Sequence, residues 1–157
     1  MTGRRNQTPD PPDYWVWSEG ELRDSNGELI AFVKADLLTY GEHRIFLEHT
    51  TGRMRFRLRA TSNDGTFARI AQPGMTINVL HAKCGDRSYT LERTHLLRKE
   101  RVIRLSDGRV AASVRPRAGG RVDVLEAAAY GEMPVLDAVF LSWACVMADV
   151  PRRTLRL

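Results

Sequence analysis

The chain has 157 residues, 43% of them hydrophobic and 27% charged, which suits one domain with a real core and excludes disorder over most of its length. Two cysteines, Cys84 and Cys145, without a CxxC or Cys/His cluster, exclude a disulfide scaffold and a zinc module and point to a reduced, cytoplasmic setting. The net charge of +5 sits largely at the C-terminus, where Arg152, Arg153 and Arg156 crowd the last six residues; Arg4 and Arg5 are cancelled by Asp10 and Asp13. Every basic residue other than Lys34, Lys83 and Lys99 is Arg, a compositional bias that makes the positive charge weak support for a nucleic-acid partner.

Residues 1–13 have basic character but no apolar stretch after it, so they read as a disordered lead-in and not as a secretory signal. One domain is expected over 14–157. From Tyr14 to Ala129 short alternating or β-branched runs are separated by turns containing glycine: Asn26-Gly27, Thr51-Gly52, Asp64-Gly65, Gly85-Asp86, Asp107-Gly108 and Gly119-Gly120. The strands expected, in order, are Tyr14–Trp17, Glu21–Asp24, Glu28–Ala35, His43–His49, Arg53–Ala60, Thr66–Ala71, Met75–Ala82, Arg87–Thr94, Glu100–Ser106, Arg109–Val114 and Arg121–Ala129. The sharpest alternation is in Arg53–Arg59, with Met54, Phe56 and Leu58 on one face and Arg53, Arg55, Arg57 and Arg59 on the other. About a dozen strands exceed what one flat sheet usually holds, so the meander is expected to close into a barrel or stack as a sandwich.

No helical period occurs before Pro134, and then 135–149 reads as one helix. It is too short for a membrane span and carries Asp137 and Asp149 near its ends. It has no Lys, Arg or Glu to make the polar face of a surface helix. Ala138, Ser142, Cys145 and Asp149 form a small, mildly polar strip, while Val139, Phe140, Trp143, Val146 and Met147 supply the bulk of a core helix. Inside a β-meander such a helix would plug a barrel, so the fold expected is a mainly β, antiparallel barrel of about 12 strands around it. The tail from Arg152 to Leu157 reads equally as a last strand or a basic terminus.

The strand–turn–strand units at 24–31 and 105–112, and above all the closing apolar stretch 136–149, resemble the tubby C-terminal-like superfamily, which includes the phospholipid scramblases and the LURP-one-related proteins. The likeness is one of layout and covers about Tyr14 to Leu157. It implies a closed barrel filled by its C-terminal helix, and a cationic surface that in several members binds membrane phosphoinositides. The chain lacks the acidic calcium-binding and cysteine-rich stretches of scramblases, and no basic pocket matches tubby residue by residue.

For function, the arginine row Arg53, Arg55, Arg57 and Arg59 would span about 20 Å at strand spacing. Helped by Arg152 and Arg153, it could track the phosphates of anionic lipid headgroups at a cytoplasmic membrane surface. The bland reading is a solvated barrel face paired across strands with Glu48 or Glu92. His43 and His49 share the parity of Ile45 and Leu47 but lie too far apart along a strand for joint metal binding. Ser142 and Cys145 sit one helical turn apart without a His or Lys partner, and Cys84 falls in a turn where it can be exposed. The expectation is a noncatalytic binding module without metal or cofactor; the alternative is a protein-interaction scaffold, and no specific nucleic-acid partner is expected.

Overall fold

The computed structural model describes residues 14–50, 55–63, 65, 67–95 and 97–150, with the backbone alone for Phe67. The expected lead-in and the C-terminal tail, with Arg152 and Arg153, lie outside the described residues, as does Arg53.

Among the described residues twelve strands follow one another. The first six are β1 (Tyr14–Ser18), β2 (Glu21–Arg23), β3 (Leu29–Lys34), β4 (Leu37–Tyr40), β5 (His43–Thr50) and β6 (Arg57–Ser62). The rest are β7 (Phe67–Ala71), β8 (Val79–Cys84), β9 (Arg87–Arg93), β10 (Arg101–Leu105), β11 (Val110–Pro116) and β12 (Val122–Glu126). Each pairs antiparallel with its sequence neighbours, and β1 pairs with β12 through Tyr14↔Leu125 to Trp17↔Val122, closing the barrel. Closure leaves no edge strand to recruit another chain.

The expected barrel is therefore found, with local corrections. Strand β4 was not foreseen, because the β3–β4 turn is Ala35-Asp36, both residues at positive φ (50° and 62°) without a glycine to announce it. The strand expected from Met75 begins only at Val79. Before it, the carbonyls of Ile77 and Asn78 accept hydrogen bonds from the Arg101 guanidinium (2.7 and 3.4 Å). The strand expected from Arg53 begins at Arg57. Just ahead of it, buried Gln72 stands in for a ladder partner, receiving the Phe56 N–H on Oε1 (3.1 Å) and donating its own N–H to the Phe56 carbonyl (3.0 Å).

Twelve strands make a lumen too wide for their own side chains to fill. The helix α1 (Val135–Asp149) fills it, about 22 Å long at the standard rise. Val139, Phe140, Trp143 and Val146 are buried, as are Ala138, Ser142, Cys145 and Asp149 of the small strip, and Met147 is half-buried against the core. The helix touches β11 and β4, which lie nearly opposite each other around the barrel, as only an element inside it does. Small inward residues such as Ala31, Ala60, Ala82 and Ala112 make room for it. Among the described residues no helix is long and apolar enough to cross a membrane.

Candidate functional site

Strand alternation places Leu58, Ala60 and Ser62 of β6 inside and Arg57, Arg59 and Thr61 outside. Arg55 precedes the strand and is exposed, so the arginine row along one strand reduces among the described residues to Arg55, Arg57 and Arg59. The sheet extends it in the other direction. In register across the barrel, Glu48 of β5 faces Arg59 of β6, Arg59 faces Arg69 of β7, Arg69 faces Lys83 of β8, and Lys83 faces Ser88 of β9. The next row runs Thr50, Arg57, Ala71, His81, Thr90.

Neighbouring strands lie about 4.8 Å apart, so Arg59, Arg69 and Lys83 hold three like charges side by side. Like charges directly opposite each other destabilise a sheet. Among the described residues no carboxylate pairs with Arg57, Arg69 or Lys83. Of the two carboxylates expected to neutralise the row, Glu48 stands at its end opposite Arg59, whereas Glu92 instead bonds Arg104 at 3.1 Å. Both rows line one concave surface of about 1050 Å³ that crosses β5 to β9. Hydroxyls of Thr50, Ser88, Thr90 and Ser106 rim it. Such a surface has the chemistry to hold an anion: rigid forked donors, one ammonium and hydroxyls, on a closed frame that cannot spread.

Arg69, His81 and Lys83 were missed as site residues. Their outward phase was legible from buried Ile70, Leu80 and Ala82 beside them, but their alignment with Arg57 and Arg59 depends on cross-strand register, which no single strand encodes.

The interior carries charge too, as two clamps on α1. Near its start, Asp137 accepts from Arg87 Nε (2.6 Å) and Nη2 (3.0 Å) and from the Tyr89 hydroxyl (2.5 Å). Burial, followed by the bond to Asp137, pushes the Tyr89 phenol above its usual range. At its end, fully buried Arg101 grips Asp149 through Nε (2.5 Å) and Nη2 (3.0 Å), and Arg93 adds a third bond at 2.8 Å. A carboxylate at a helix C-terminus opposes the helix dipole, and two arginines offset that there. Lys99 also donates to the Asp149 carbonyl (3.2 Å). Strand parity was the available signal, since Arg101 shares the inward phase of Ile103.

The other candidates are occupied. Ser142 Oγ accepts from Trp17 Nε1 (2.9 Å) and donates to the Val139 carbonyl (3.0 Å). Cys84, which its place beside a turn would have allowed to be exposed, is buried, because it ends β8 in the inward phase of Leu80 and Ala82. Burial pushes both thiols up to about 12, assisted at Cys84 by the Asp137 charge and at Cys145 opposed by Arg101. Neither is a thiolate at neutral pH. His43 stacks on Tyr40 and His49 lies against Phe56, at opposite ends of β5. Among the described residues no group of three His, Cys, Asp or Glu is arranged to hold a metal.

The chain matches no known family model, no curated protein and no solved structure.

Proposed function

We propose that this chain is a noncatalytic binding module whose outer β6–β8 face takes anionic phospholipid headgroups, acting peripherally at a cytoplasmic membrane surface. The carrying observation is the alignment of Arg59, Arg69 and Lys83 on three adjacent strands inside one concavity. Fixed like charges cost stability in the free protein, and a polyanion across them turns that cost into binding energy. A bilayer offers phosphates at the required density, and its negative surface potential attracts each cation near it. The closed meander and its lumenal helix agree in layout with the tubby C-terminal-like superfamily, and membership is proposed on that ground.

Co-sedimentation with vesicles at low salt tests the reading. Recovery is expected with phosphatidylserine-containing vesicles and to fall severalfold for Arg69→Glu, which sets an anion at the centre of the row. Equal recovery with neutral and anionic vesicles would overturn it and leave a protein-binding scaffold as the better account.

A further inference from the structure

The outer face does not end at the cation rows. Phe46 on β5 points outward with 52% of its surface exposed. It stands opposite Leu37 on β4 and Thr61 on β6. Two residues along the same strand is Glu48, opposite Arg59, so the cation row lies only about 7 Å away. One row in the other direction, Phe32 on β3 is 38% exposed and faces Thr39, which faces Arg44. Lys34 faces Leu37. Phe46, Leu37 and Phe32 thus form an apolar diagonal, with Lys34, Arg44 and Glu21 at its margins and Glu48 and Arg59 beside it.

We infer that this diagonal is the part of the face that enters the bilayer. Phe46, with Leu37 and Phe32, seats in the boundary between headgroups and acyl chains of an anionic membrane, while Arg59, Arg69 and Lys83 hold headgroups alongside. The inference rests on the headgroup-binding reading and adds to it an apolar contribution and a docking orientation. Two large exposed aromatics beside basic residues are what an interfacial surface requires, since its strength combines buried apolar area with attraction to anionic lipid. Charge selects this occupant over a second copy of the chain. Around the diagonal Lys34, Arg44, Arg69 and Lys83 outnumber Glu21 and Glu48, so two copies brought face to face would meet with like net charge, whereas an anionic bilayer attracts this face.

The two native cysteines are buried, so a single new cysteine can be labelled selectively in the folded protein. An environment-sensitive nitrobenzoxadiazole probe is placed on Phe46→Cys and, as a control on the far side of the barrel, on Ser113→Cys of β11. With vesicles of phosphatidylcholine and phosphatidylserine, emission from position 46 is expected to rise severalfold and shift to the blue, and emission from position 113 to stay unchanged. The unlabelled Phe46→Ala protein is expected to lose about fivefold in vesicle partitioning, from the apolar area withdrawn. A protein that sediments with these vesicles while the probe at 46 stays silent would overturn the inserted diagonal and leave headgroup binding intact. Absence of sedimentation at low salt would overturn both. A response at 46 that grows with protein concentration without vesicles would overturn it in favour of self-association.

Discussion

Arg101 and Asp149 are both shut away from water, and they bind each other through two hydrogen bonds. Removing one partner strands the other as an uncompensated buried charge. Asp149→Ala is therefore expected to cost about 3–5 kcal/mol in urea denaturation, and Arg101→Met combined with Asp149→Leu to recover part of it. Recovery should be incomplete because Arg101 also serves the carbonyls of Ile77, Asn78 and Leu91. The buried thiols make a second prediction. The folded chain keeps each proton up to about pH 12, whereas the unfolded chain releases it from about 9. Their contribution to stability is thus whole below pH 9 and lost as pH rises towards 12. Thermal melts of Cys145→Val should show a shallower decline across that window than the parent protein.

At the scale of elements, α1 and the β3–β4 turn offer opposite lessons. The helix is apolar nearly all round because protein surrounds it on every side, and Trp143 packs on Trp17 with ring centroids 4.9 Å apart. A charge at that position has no partner, so Trp143→Asp should abolish the near-ultraviolet circular dichroism of the folded state. A well-folded Trp143→Asp protein would contradict the lumenal helix. The two indoles differ in their polar ends: Trp17 donates to Ser142, while Trp143 Nε1 is buried without a partner among the described residues. Trp17→Phe is accordingly expected to cost about 1 kcal/mol more than Trp143→Phe. In the turn, Ala35 adopts φ 50° and Asp36 φ 62°, a left-handed pair that suits Asn-Gly. Replacing the two by Asn and Gly should raise the urea midpoint, a gain of about 1 kcal/mol with the slope unchanged.

For the whole molecule, closure matters most. A barrel closed by β1 on β12 cannot open to separate Arg59, Arg69 and Lys83, so their repulsion persists in the free protein. Arg69→Glu should therefore do two opposite things: weaken vesicle binding and raise the melting temperature, as it replaces two like-charge neighbours by two opposite ones. Loss of both binding and stability would instead make Arg69 a structural residue. Added salt should raise the melting temperature of the parent protein more than that of the variant, because screening acts on the repulsion.

Much of this architecture was legible in the sequence because its signals are local. A period of two assigns faces on β5, β6 and β8 without knowledge of any neighbour, and an apolar stretch without a charged face, too short for a bilayer, leaves the protein interior as the place for 135–149. Strand number followed from glycine turns and missed β4, whose leading turn, Ala35-Asp36, has none. Tertiary structure alone decided what meets what. Register aligned Arg59 with Arg69 and Lys83 and set Phe46 beside them, and the seating of α1 in the lumen brought Asp149 to Arg101. The physical reason is that a strand's alternation depends on its own backbone, whereas register depends on every turn length and on which strand closes the ring.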